Sequence, residues 1–132
     1  MQNVLQMVVN EAGHLLHAHE TRFDSSNGFV TMVTLTFQHL TVNIRADPDN
    51  DTISINLGAP LISEDGVTAS ADASSPWIPA YGSQCVWAWT LTNQQGYSDG
   101  LRFEFISDAG KRVVEMIVAA SQIQYYALET RG

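Results

Sequence analysis

Hydrophobic and polar positions change period once along this chain, early. Val4, Leu5, Val8, Val9 and Ala12 recur at helical spacing, with Gln6, Asn10 and Glu11 falling largely on the other side. Gly13 follows where a glycine commonly closes a helix, so a short helix is predicted over residues 2–12. Beyond it the period is two. LLHAHETRF alternates Leu16 and Ala18 against His17 and His19, and FVTMVTLTF sets Val33, Leu35 and Phe37 on one face with threonines mostly opposite. Asn27-Gly28 marks a hairpin between these two strands, since both residues tolerate positive φ. The apolar phase flips at Gln38-His39 to Leu40, Val42 and Ile44, which requires a turn or bulge there. DPDND turns the chain again, and Ile53, Ile55 and Leu57 return it.

Periodicity fails from Ala59 to Gly82, a stretch with three of the four prolines, and an irregular loop is expected there. Trp77 and Tyr81 are expected to pin its end to the body. Alternation then resumes in QCVWAWTL, LRFEFIS, RVVEMIVAA and QIQYYALE, separated by short turns. The fold class that follows is α+β. One N-terminal helix packs on a strongly twisted or partly rolled, mainly antiparallel meander sheet of seven or eight strands. Residues 1–132 read as a single domain without internal repeats.

Trp87 and Trp89 lie two apart on a strand, so their rings share a face. Such a pair can serve as a stacking platform for bases or sugars, but core is the expected role, because each indole buries a large apolar area.

Charge narrows the partner. The chain has 14 acids and 6 bases, a formal net charge of −8. Residues 47–75 hold Asp47, Asp49, Asp51, Glu64, Asp65 and Asp72 with no base, while the flanking segments each sum to −1. Without a basic face, neither nucleic acid nor an anionic membrane surface is an expected partner. A basic protein partner is. Cys85 is the single cysteine, and the first residues lack the charged n-region of a signal peptide, so a cytoplasmic setting is expected.

Chemical motifs are weak. His17 and His19 have the spacing of a two-histidine metal site, but no carboxylate stands at a spacing that would complete it. Asp47-x-Asp49-x-Asp51 lacks the glycine and the glutamate of a calcium loop, having Thr52 and Gly58 there. Cys85 has no neighbour to activate it, and Ser83 stands in no nucleophile elbow. No cofactor and no metal are therefore expected.

The segment NQQGYSDG joins two strands with more residues than a hairpin needs. Asn93, Gln95, Tyr97 and Asp99 give it a dense set of donors and acceptors, making it the first candidate for a binding surface. A purely structural role as capping and turn residues explains the same composition. The pattern W-x-W-x-L-x-N-x-Q-G-Y-x-D-G, read from Trp87 to Gly100, resembles one in a family of small uncharacterised bacterial proteins. The DPDND turn before an Ile-x-Ile strand is similar too. That resemblance implies a bacterial, intracellular, single-domain protein and carries no activity with it.

Two functions follow as expectations. The favoured one is a non-catalytic interaction protein, immunity- or inhibitor-like, meeting a protein partner through acidic or polar loops. The alternative is a small-molecule-binding protein or enzyme with a cavity under the 59–82 loop, lined by aromatics that include Trp77 and Tyr81. Homodimerisation through QIQYYALE, a candidate edge strand, is a third possibility.

Overall fold

The computed structural model describes residues 2–23, 28–47, 49–58, 66–72, 74–96, 98–120 and 122–130. Helix α1 spans Gln2–Asn10. Its apolar stripe, Leu5 and Val8, continues into Ala12, and all three are buried. The helix stops two residues short of the predicted end. Gly13 instead turns the chain out of the helix toward the first strand, at φ +78°. A side chain there would collide with Gln38 Oε1, which accepts from the His14 backbone N–H at 2.9 Å.

The described residues form nine strands in two sheets, where the periodicity predicts one meander of seven or eight. In the first sheet, β1 (Leu15–Phe23), β2 (Val30–Phe37), β3 (Thr41–Asp47) and β4 (Thr52–Leu57) run as an antiparallel meander. Strand β5 (Gly66–Ser70) returns to pair with β1, giving the order β4-β3-β2-β1-β5. The second sheet is the meander β6 (Gln84–Thr92), β7 (Ser98–Ser107), β8 (Gly110–Ala119) and β9 (Gln122–Thr130). A bridge between His14 and Gln84 ties the two sheets at one corner.

Period alone cannot separate one sheet from two, because alternation fixes which side chains share a face and not what covers that face. Here the inner faces cover each other. Leu35, Val42 and Ile44 of the first sheet and Leu101, Phe103 and Met116 of the second belong to one buried cluster. Helix α1 packs on β6 and touches β4, closing the side between these two edge strands.

The segment expected to be irregular contains regular structure. It contains β5 and a 3-10 turn at Ile78–Ala80; residues 59–65 and 73 lie outside the described residues, as do Asn27 and Pro48 of the predicted turns. GVTAS shows no alternation because Val67 is its one sizeable apolar residue, and it sits at a sheet edge.

Trp77, just before the 3-10 turn, fills the interior with 0% exposure and packs against Phe103, Phe105 and Tyr125. Its indole N–H donates to the Tyr125 hydroxyl at 3.1 Å, which donates to Glu20 Oε2 at 2.6 Å. The Arg22 guanidinium meets the other carboxylate oxygen at 3.1 Å. This chain links β1, β9 and the connecting segment through polar groups that are buried but satisfied. Tyr125→Phe strands the indole N–H and one Glu20 oxygen at once. The expected cost is about 2–3 kcal/mol, read as a lower urea midpoint with unchanged m-value.

Candidate functional site

The antiparallel register sets which side chains stand together on the outside of the second sheet. Trp89, Arg102, Glu115 and Tyr126 form one cross-strand row, and Trp87, Glu104 and Val113 begin the next. Trp87 is 59% exposed and Trp89 39% exposed, so the expectation that both indoles are core is overturned. The inward residues of β6 are Cys85, Ala88 and Thr90. Small side chains are needed there because α1 packs against this strand, and the bulky Phe103 and Phe105 of β7 already fill the interior. A bulge between Cys85 and Trp87 sets this phase.

The two indoles lie nearly parallel, 14° apart with centroids at 6.0 Å. The Arg102 guanidinium sits 5.5 Å from the Trp89 ring and pairs with Glu115 at 2.9 Å. Lys111 pairs with Glu104 on the same face. Two bases and two acids thus neutralise each other, leaving Trp87, Trp89, Ile106 and Tyr126 as exposed apolar area. An open cleft of about 190 Å³ runs between β8 and β9, lined by Arg102, Val113, Glu115, Tyr126 and Ala127. The outer face of the first sheet is built differently, with Thr34 and Asn43 bonded to each other across β2 and β3 at 2.7 Å.

The polar segment first in line for binding forms a compact hairpin connection. Asn93 Oδ1 accepts from the Gln95 N–H at 2.9 Å, and the Asn93 carbonyl accepts from Gly96 at 3.0 Å. Asn93 is therefore part of an Asx-type turn. Gln95 is exposed, Asp99 lies half-buried within β7, and Tyr97 falls outside the described residues. Trp77 and Tyr81 make their contacts on other elements. The Tyr81 hydroxyl accepts from the Ala18 N–H at 2.9 Å, anchoring its loop to β1 as expected. Trp77 packs on the inner face of the second sheet while Trp87 and Trp89 stand on its outer face, so no single cavity is lined by all three.

His17 and His19 share a face of β1, with ring centroids 4.5 Å apart. His17 Nε2 lies 3.0 Å from the Ser70 hydroxyl. Burial, then the charge of His17, lowers the His19 pKa below its ordinary value. Among the described residues no group of three or more His, Cys, Asp or Glu side chains could hold a metal ion. Asp47 accepts from the Asp49 N–H at 2.9 Å, a turn bond within DPDND.

Burial pushes the Cys85 thiol up to about 12. The unfolded chain ionises this thiol near its ordinary value of 9.0, whereas the folded chain keeps it protonated. A raised folded pKa contributes stability that is complete below the unfolded value and declines above it. Stability should therefore fall from about pH 9 upward, with a slope of up to ~1.4 kcal/mol per pH unit. Tyr125, raised well above its ordinary value of 10.0 by burial and then by the charge of Glu20, adds to this loss at higher pH. Urea midpoints measured from pH 8 to 11 should show the decline, and Cys85→Ala should flatten its first part.

Among the described residues no helix is long and apolar enough to cross a membrane. No curated protein and no solved structure gives a significant match to this chain. One family does, over residues 1–132: the chain belongs to DUF6334, a family of unknown function.

Proposed function

We propose that this protein is a non-catalytic interaction module whose docking surface is the outer face of the β6–β9 sheet. The observation that carries the reading is the solvent-exposed indole pair, Trp87 and Trp89, beside Arg102 and Tyr126. Trp, Tyr and Arg are the residue types in which interface binding energy concentrates. They offer large rigid area at little cost in rotamer freedom, and their polar tips keep the free surface wetted. Such a cluster on a sheet face, away from any interior role, fits recognition better than folding.

The occupant we infer is a folded protein presenting an apolar patch with a basic rim. The docking face is neutral through its two ion pairs, whereas the whole chain stands at −8. Apolar anchors would meet the indoles, and the net charge of the whole chain would steer a basic rim during encounter. A cytoplasmic setting accords with a buried, unpaired Cys85. This moves the binding surface from the NQQGYSDG hairpin to the neighbouring sheet face, while keeping the basic protein partner that the charge distribution suggests.

The test is affinity capture from the native host with the wild-type chain and with a Trp87→Ala/Trp89→Ala double variant, followed by titration with the purified partner. A partner retained by the wild type and released by the double variant supports the docking face. A partner bound equally by both overturns it.

A further inference from the structure

We infer that the free edge of β9 pairs antiparallel with β9 of a second copy, joining the two four-stranded sheets into one of eight. The four sheet edges are not alike. Strand β6 is covered by α1, β4 also contacts that helix, and β5 has only five residues. Strand β9 has nine residues, and its register with β8 runs through nine consecutive pairs without a shift. Its sequence, QIQYYALET, contains no lysine, arginine, proline or glycine, and Glu129 is its one charge. Strand β9 touches β2 and β3 of the facing sheet, yet it is the longer of the two edge strands away from α1, and the devices that normally blunt such an edge are missing from it among the described residues.

The edge is also self-complementary. A two-fold axis beside Tyr126 sets Tyr126 opposite its own copy, Tyr125 opposite Ala127, and Ile123 opposite Glu129, so no like charges face each other. Such an axis stands perpendicular to the sheet and keeps both outer faces on one side. The indole pairs of the two copies then lie on a single continuous surface, with Tyr126, 55% exposed in the single chain, at its centre. Nine residues a side is well below the roughly 20–30 of a standard interface, so the dimer should be weak and concentration-dependent. The inference shares Tyr126 with the face proposed for a partner but uses none of the indoles, so Trp87→Ala/Trp89→Ala separates the two: pairing through the backbone groups of β9 survives that change.

Sedimentation velocity over a wide concentration range should show a reversible shift from a 14.5 kDa monomer to a dimer. Tyr126→Lys places two ammonium groups across the axis and should weaken dimerisation about fivefold. Because Tyr126 is exposed, the variant chain should still fold. Trp87→Ala/Trp89→Ala should dimerise like the wild type, even where it has lost a partner. Tyr126→Cys gives an independent reading, since Cys85 is buried and leaves the wild type a blank. Mild oxidation should convert this variant to a covalent dimer, as directly opposed residues in an antiparallel pair lie within disulfide range. A chain that stays monomeric at the highest concentration, or a dimer indifferent to Tyr126→Lys that does not cross-link through position 126, overturns the inference.

Discussion

Trp77→Ala lowers the unfolding free energy by about 3–5 kcal/mol, the range for removing a fully enclosed aromatic side chain. For a chain of this size that is a melting temperature lower by roughly 10–20 °C. Three things are lost together. The indole has 0% exposure and touches Phe103, Phe105 and Tyr125, so its removal leaves a cavity between the sheets. It also donates to the Tyr125 hydroxyl, the second link of the chain that ends at Glu20. Finally, Arg112 donates to the Pro76 carbonyl at 3.0 Å, a contact that depends on how this segment is seated. Trp87→Ala is the comparison that isolates burial from residue type. Its ring is 59% exposed, and the expected cost is below about 1 kcal/mol. Equal losses in the two variants, measured by urea unfolding, would contradict the inside–outside assignment of the indoles.

The docking face makes the opposite prediction. The double variant Trp87→Ala/Trp89→Ala should keep most of its stability and lose partner affinity by about 2–4 kcal/mol, some 30- to 1000-fold. The two effects should not add, because the rings stack on each other and Trp89 also holds Arg102. Arg102 links the aromatic pair to Glu115, so Arg102→Ala should weaken binding further by loosening Trp89. Salt should act elsewhere. If the net charge of the chain steers a basic rim, raising ionic strength slows association and leaves dissociation nearly unchanged. Association and dissociation rates of the purified pair, measured by surface plasmon resonance at low and high salt, separate these contributions. A double variant within twofold of wild type would remove the indoles from the interface.

Much of the local structure is legible in the residues. Helix α1 appears where the 3.6-residue period stands, and all four C-terminal strands appear where alternation is strict. The DPDND turn and the break at Gln38-His39 follow from side-chain chemistry acting within a few residues. The candidate site was much less legible. NQQGYSDG draws attention by its polarity, yet Asn93 serves the turn, whereas the neighbouring WAW segment looks like core and faces solvent. Its signal was present in a different form: Cys85, Ala88 and Thr90 are too small to build a core unless something large packs on them. That something is α1 and the phenylalanines of β7, which no window around β6 contains.

The sequence by itself determined the period of each segment, the one short helix, the turn chemistry and the acidic balance, because these depend on neighbours close in the chain. Which face of each strand is covered, and by what, was decided only in the tertiary structure. Burial depends on partners dozens of residues away: Glu20 meets Tyr125, α1 closes over β6, and Trp77 fills the space that Trp87 and Trp89 leave. An alternating strand offers two faces to the solvent and to the core, and only the packing of the second sheet against the first chooses between them.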